Sequence, residues 1–513
     1  MTASDSEWGA KEIYSEAKDL ENALECETLQ KMLHGRAGAF SSRYWFINEY
    51  TNYVNLLSSD SSVGSSAEVP KSNISLKCAY DFIRNIAQFI EMIFRDKDIF
   101  PVDILFISRR RMVKVKTKSG YQEGDYVFYS IMNELEKGYS GLILARYLFD
   151  DSYLKYQYAT SLDLLRSARW ALEKSLGWTF QGKKVMGYLQ RQGCSHAARF
   201  VESYFRFRPL FRNALLGYSL KNLFEAKRPG VIVSNDDCMY TKPLLDDYIN
   251  TKFLVLQSAR MVEYGEACRS LVFQEPGMLP DYFLASGKIF GEIKGRWHIA
   301  ERVVVTGLPR YDILIHAHEV YSRQAFLERY NLDARHKIVH WSTQCHVLSQ
   351  EENASNFKAI FGAINNLEGV SLVIKQHPAE PEKFTEEIMR QMKSYGINAV
   401  ITPKNSDTYE QLFVCDLMIT RHSTTAMEAV ALGKPVIILN LSGKPDPVEY
   451  VQEGVALGIY NSGDLCAAMK RLLVDDSEMS AQRERYIEKY LYKIDGEATH
   501  RVIDIIIKSL KEL

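Results

Sequence analysis

At 513 residues the chain is too long for one ordinary core, so two domains of roughly 150 to 250 residues with an appendage are expected. Lys and Arg number 63 against 64 Asp and Glu, which excludes a global field that would mark nucleic acid as partner and leaves any acidic ligand to a local patch. The cysteines, Cys26, Cys78, Cys194, Cys238, Cys268, Cys345, Cys415 and Cys466, make no close pairs of metal or redox spacing and fit free thiols in a reducing cytoplasm.

The N-terminus, MTASDSEWGAKEIYSEAKDL, has neither the basic start nor the apolar core of a signal peptide, and no run of about 18 apolar residues follows. A soluble, cytoplasmic protein is expected. Residues 1–57 carry helical periodicity and read as a helical N-terminal extension; 58–73, SSDSSVGSSAEVPKSN, reads as a Ser-rich linker. From 74 the pattern alternates: a helix in ISLKCAYDFIRNIAQFIEMIF, a strand in VDILFIS, a helix in DYVFYSIMNELEK, a strand in GLILARY. Long helical patterns over 153–226 interrupt it, and strands resume as GVIVS, FLVLQS, YFLAS and RVVVTG. A second series runs through KIVHWST, SLVIK, NAVIT, LMIT, PVIILN and VALGIY with helices between, and 478–513 reads as a charged amphipathic helix or helix pair.

The fold class is therefore α/β, with two Rossmann-like domains facing across a cleft. The first, acceptor-side domain spans 74–318 with a helical insert over 153–226; the second, donor-side domain spans 319–477; the helical segment 478–513 follows.

The chemistry is sought where strands end at the cleft. RHSTTAMEAVALGKPVII, residues 421–438, puts a polar cluster directly after the strand LMIT and ahead of a small-residue helix with Gly433 at its stop position. Ser423 stands where an N-cap belongs. The unpaired N–H groups there, with the hydroxyls of Ser423, Thr424 and Thr425, suit a phosphate, while Arg421 and His422 add positive charge. Glu428, one turn in, is in reach of a ribose's hydroxyl pair. An ordinary helix cap explains the same residues, and Ala426, Ala429 and Ala431 suit close packing on a sheet. The second strand end, SLVIKQHP, carries Lys375 and His377, with Pro378 holding His377 extended at the same crevice.

With VTGLPRYDIL at 305–314, these stretches resemble the C-terminal half of GT-B glycosyltransferases over about residues 228–475. The likeness is nearest to the branch of CDP-glycerol glycerophosphotransferases, bacterial sialyltransferases and capsule Kdo transferases, with UDP-N-acetylglucosamine 2-epimerases nearby. The resemblance implies that His377 and Ser423, Thr424 and Thr425 bind the donor's phosphate and that Glu428 approaches its ribose. It also implies that GLPRYD, with Arg310 and Asp312, enters an interdomain hinge; a turn stabilised by an Arg–Asp pair is the plainer alternative.

The chain departs from these relatives. Epimerases have Ser-Gly-Gly where this chain has Ser423, Thr424 and Thr425. The Trp-His-Gly of glycerophosphotransferases is replaced by FLVLQSARM, which holds Gln257, Ser258 and Arg260. An inverting transfer needs one base for the acceptor hydroxyl and dipoles or cations for the departing phosphate. In VSNDDC, Asp236 or Asp237 is the candidate base; capping of a strand end is the alternative, and Glu263 and Glu266 are in reserve.

Residues 109–118 carry six basic residues and no acid, and 161–228 carry 13 basic against 4 acidic. A solvated helical face accounts for such charge; the alternative is peripheral contact with an anionic membrane at its inner face, or with an acidic acceptor. No nucleic-acid motif accompanies it. The sequence thus reads as a metal-independent transferase without cofactor. It would move a sugar or polyol phosphate from a nucleotide donor, CMP- or CDP-linked rather than UDP-linked, to a glycan or lipid-linked acceptor in surface polysaccharide synthesis. A UDP-N-acetylglucosamine 2-epimerase-like enzyme and an inactive GT-B scaffold are the other readings.

Overall fold

The computed structural model describes residues 101–108, 112–148, 183–194, 198, 223–235, 242, 250–258, 279–289 and 300–513. The expected N-terminal extension, the linker and most of the helical insert lie outside the described residues, as do Asp236, Asp237, Arg260, Glu263 and Glu266.

Two parallel six-stranded sheets form the frame. The first comprises β1 (Ile104–Ser108), β4 (Leu144–Leu148), β5 (Val231–Asn235), β6 (Lys252–Leu256), β7 (Tyr282–Ala285) and β8 (Val303–Val305), in the order β4-β1-β5-β6-β7-β8. The second comprises β9 (Lys337–Ser342), β10 (Val370–Lys375), β11 (Ala399–Thr402), β12 (Leu417–Thr420), β13 (Val436–Leu439) and β14 (Leu457–Ile459), in the order β11-β10-β9-β12-β13-β14. In each sheet the winding direction reverses once, between β1 and β5 and between β9 and β12. Open sheets of this kind bind ligands at that reversal, beyond the strands' carboxyl ends.

The strand sequences suit burial on both faces. In β13, Ile437 and Leu439 join one core with Trp341, Ile374 and Ile419, while Val436 and Ile438 join the opposite core with Met418, Met427 and Val430. Each large aliphatic side chain buried this way contributes about 1.5–3 kcal/mol.

The sequence-level expectation of a basic helical face over 109–118 is corrected where the chain is described. Residues 112–117 form β2 (Met112–Thr117), which pairs antiparallel with β3 (Gly120–Asp125). MVKVKT alternates with period two, which favours a strand over a helix. The hairpin is an arm from the first domain onto the second. Lys118 pairs with Glu319 at 3.3 Å, Tyr121 donates to Asp407 Oδ2 at 3.1 Å, and Lys116 lies 4.6 Å from the Tyr121 ring and 5.8 Å from the Tyr321 ring. Asp407 also accepts from the Tyr321 hydroxyl and caps the helix that follows it.

The C-terminal segment is a helix pair that ties the domains together. Tyr486 and Tyr490 of α8 (Ser477–Tyr490; α1 to α6 are named below and α7 is Leu465–Leu472) pack in the second domain's core. The next helix, α9 (Ala498–Lys511), returns to the first sheet, burying Val502, Ile503 and Ile506 beside Phe106 and Leu254 and against α1 (Tyr129–Gly138). Where the loop after β7 meets α8, Ser286 Oγ donates to the Tyr490 carbonyl at 2.9 Å. A Cβ at Gly287 would stand 2.3 Å from the Tyr490 carbonyl carbon, so only glycine fits there. Among the described residues no helix is long and apolar enough to cross a membrane.

Candidate functional site

The second sheet supplies the crevice. Helix α2 (Arg323–Arg329) precedes β9; α3 (Gln350–Asn365) follows it, entered through a capping box in which Ser349 and Glu352 serve each other's backbone N–H. The connection from β10 leads to α4 (Glu382–Tyr395), that from β11 to α5 (Thr408–Val414), and that from β12 to α6 (Thr425–Ala431). Three loops, after β9, β10 and β12, therefore converge at the reversal of strand order.

Helix α6 forms because its residues are small or good helix formers, and Ala426 and Ala429, fully buried, let it lie close on the sheet. It stops at Gly433, whose φ of 70° lets Lys434 N–H bond back to the Ala429 carbonyl at 2.9 Å. One sequence-level assignment shifts by a residue. The N-cap is Thr424, helical in φ and ψ and without a side-chain cap bond. Ser423 Oγ instead accepts from Thr425 N–H at 3.2 Å and from the Thr425 hydroxyl at 2.7 Å, an arrangement that turns the loop before the helix. Among the described residues, the N–H groups of Ser423 and Thr424 have no intrachain acceptor, and Thr424 is exposed.

His422 and His377 are brought to this crevice by different loops. Gln344, after β9, clips His422: its Oε1 accepts from His422 N–H at 2.8 Å and its Nε2 lies 3.0 Å from His422 Nδ1. Burial and the neighbouring Arg421 lower the His422 pKa to about 4. His377 stacks on His346 with ring centroids 4.5 Å apart, and its Nδ1 accepts from Ala379 N–H at 3.1 Å. Partial burial, then His346 and Lys375, lower its pKa to about 4, although the residue as a whole is exposed. Both imidazoles are therefore neutral at pH 7. The loops after β9 and β10 are joined beneath them by buried Glu380, which accepts from Thr343 Oγ1 at 2.8 Å and Cys345 N–H at 2.6 Å.

Of the two groups expected to add positive charge, His422 is neutral and Arg421 is already engaged, as is Lys375. Arg421, 9% exposed, pairs with Asp446 at 3.3 Å and lies 3.4 Å from Ser442 Oγ, and Asp446 also accepts from Asn440 and the Tyr460 hydroxyl. Lys375 turns below the crevice, donating to the carbonyls of Lys404 at 2.5 Å and Pro403 at 3.3 Å, and burial lowers its pKa to about 8. As placed, these residues shape the loops, and the hydrogen-bond donors facing the crevice are neutral.

Glu428 faces the hinge. Its carboxylate accepts from Tyr311 OH at 3.3 Å and lies 3.8 Å from Arg310; burial outweighs both and raises its pKa to about 7. Tyr311 and Arg310 belong to a 3-10 helix, Pro309–His316, that leaves β8 through Gly307. The Arg310 guanidinium also sits 4.8 Å from the Tyr126 ring of the first domain. The alternative of an Arg–Asp pair here is replaced by two separate contacts: Arg310 meets Glu428, while Asp312 accepts from Ala498 N–H at 3.0 Å and Thr499 N–H at 2.7 Å, capping α9.

In the first sheet β5 borders the reversal between β1 and β5 and ends in buried Asn235, the last described residue before Asp236 and Asp237. Gln257, after β6, is buried and accepts from Ser286 N–H at 2.9 Å. A cavity of about 570 Å³ between Leu314, Phe413, Leu432 and Ile494 lies at the C-terminal end of α6, away from the crevice. Gln344, His346, Glu380 and Asp446 are the residues that sequence reasoning missed. The polar run STQCH after KIVHW was the available signal for Gln344 and His346, since the first strand of each series here borders the reversal.

Two Rossmann-like sheets joined by a hinge and a returning C-terminal helix, with a polar crevice at the second sheet's reversal, define a GT-B-like fold. Residues 266–508, just under half of the chain, match the model of the CDP-Glycerol:Poly(glycerophosphate) glycerophosphotransferase family. No curated protein matches the chain. Among solved structures, one from Listeria monocytogenes described as a UDP-N-acetylglucosamine 2-epimerase is similar at 14% identity and TM-score 0.50, over 80% of this chain and 98% of that one. The wall teichoic acid polymerase TagF is similar at 12% identity and TM-score 0.47, over 85% and 98%, and S. aureus MnaA with UDP at 14% and 0.48, over 80% and 98%. At these identities the likeness speaks to fold alone.

Proposed function

We propose that the protein transfers a polyol phosphate or sugar from a cytidine-nucleotide donor to a glycan or lipid-linked acceptor in cell-envelope polymer synthesis. The observation that carries the reading is the convergence of His377, His422 and the open N–H groups of Ser423 and Thr424 at the reversal of the second sheet. Neutral N–H donors fixed before the ligand arrives stabilise phosphate oxygens without reorganising as charge develops. The match over 266–508 favours the cytidine donor.

In this reading Asp236 or Asp237 takes the acceptor hydroxyl's proton. The acceptor oxygen attacks phosphorus in a polyol-phosphate transfer, or the anomeric carbon in a sugar transfer. The bond to the nucleotide breaks, and the N–H donors of the crevice hold the departing phosphate. The reading assigns no metal and no cofactor to the reaction. Glu428 serves the ribose by trading the Tyr311 hydroxyl for the sugar's, which links donor binding to the hinge.

Thermal-shift measurement against CMP, CDP, UDP and GDP tests the reading, since a ligand of the folded state raises stability by mass action. Stabilisation by a cytidine nucleotide, lost in His377→Ala, supports it; no shift with any nucleotide overturns it. Retained transfer rates in both Asp236→Asn and Asp237→Asn would remove the base assignment. Isomerised donor in the absence of acceptor would mark an epimerase instead.

A further inference from the structure

The hydrogen bonds around His422 fix more than its position. A backbone N–H can only donate, so the Gln344 atom that receives His422 N–H at 2.8 Å is the amide oxygen. The Thr420 hydroxyl, 3.3 Å from that same oxygen, agrees. The other end of the amide is then the NH2, which can also only donate, and it lies 3.0 Å from His422 Nδ1. Nδ1 must accept, so the single proton of the neutral ring is on Nε2. His377 reaches the same state by another route, because the Ala379 N–H donates to its Nδ1 at 3.1 Å. Among the described residues neither Nε2 has a hydrogen-bond partner.

We infer that Gln344 is a positioning residue that locks His422 as the Nε2–H tautomer and so presents a neutral N–H donor to the nucleotide's phosphate. The inference rests on the functional reading above for the identity of the ligand, but the tautomer itself does not. Gln344 is held for this task at the carboxyl end of β9, next to β12, where both loops border the reversal. A glutamate there would still accept from His422 N–H, but it would also draw the ring proton to Nδ1. In the neutral ring Nε2 would then turn a lone pair toward the phosphate. The carboxylate would also favour the imidazolium, which donates from both nitrogens.

The test uses the full chain with 15N-histidine, His422→Asn to assign the signal, and CDP as probe. Long-range proton–nitrogen correlation should show a protonated Nε2 and a bare Nδ1 at pH 7.5 in the wild type, and the reverse in Gln344→Glu. CDP affinity should be nearly constant between pH 6 and pH 8 in the wild type. In Gln344→Glu it should be at least tenfold weaker at pH 8 and recover as pH falls and the imidazolium forms. Gln344→Met, which keeps the length and loses both hydrogen bonds, should give a mixture of tautomers and intermediate affinity. A protonated Nδ1 in the wild type overturns the inference, as does Gln344→Glu binding CDP with wild-type affinity at every pH. Absence of CDP binding by the wild type with the expected tautomer would sink the functional reading and, with it, the role of Gln344 in binding.

Discussion

Arg310 and Glu428 meet at 3.8 Å, the first on the hinge and the second on the helix that opens at the crevice of the second sheet. Burial still raises the Glu428 pKa from 4.5 to about 7. Between those values the folded chain keeps a proton that the unfolded chain has released. Its contribution to stability is full below about pH 4.5 and is lost as pH rises through about 7. Glu428→Gln stays neutral, so its melting temperature relative to wild type should rise between pH 5 and pH 8, by a change on the order of 2–3 kcal/mol in stability. A pH-independent difference would show that the carboxyl is ionised throughout.

Two histidines act in the opposite sense. Burial lowers His340 from 6.5 to about 3 and His422 from 6.5 to about 4, so the unfolded chain takes up protons first as pH falls. Their contribution is present above about pH 6.5 and is lost as pH drops toward 4. Urea titrations at pH 7.5 and pH 5 should find His340→Asn less stable than wild type at the higher pH and less sensitive to the drop. An equal loss in both proteins would contradict the assignment.

Asp312 joins the hinge to the last helix through two backbone N–H groups of α9. Asp312→Ala leaves both without that acceptor and should cost about 1–2 kcal/mol. The denaturant midpoint should fall accordingly, with CDP affinity within about twofold of wild type, because the cap lies outside the crevice.

The arm makes exposed contacts, of which the Lys118–Glu319 pair is screened by solvent and adds little to stability. Tyr121→Phe combined with Lys118→Ala should therefore leave the melting temperature nearly unchanged. It should broaden the distance distribution between labels at Glu136 and Lys393, one on each domain, read by electron–electron resonance. An unchanged distribution would mean that the arm lies on the second domain without restraining it.

Much of the frame was legible because a buried parallel strand leaves a short aliphatic run: KIVHWS, SLVIK, LMIT and VIIL each became strands. MVKVKT was misread because its charge distracted from its alternation. The return of α9 to the first sheet was not legible, since local pattern does not say which apolar surface a helix covers. For the site, His377 and His422 stood out through the strand ends they follow. The engagement of Arg421 by Asp446 and of Lys375 by the 403–404 carbonyls depends on loop closure across distant positions, which spacing along one chain does not encode. The shift of the cap from Ser423 to Thr424 is a one-residue difference in φ and ψ, finer than sequence pattern resolves.

The most direct measurement is calorimetric titration of CDP into the wild type, His377→Ala and His422→Ala at pH 7.5. The account predicts one site per chain in the wild type and at least tenfold weaker binding in each variant. No binding by the wild type, or equal affinity in all three proteins, would contradict a donor nucleotide at this crevice.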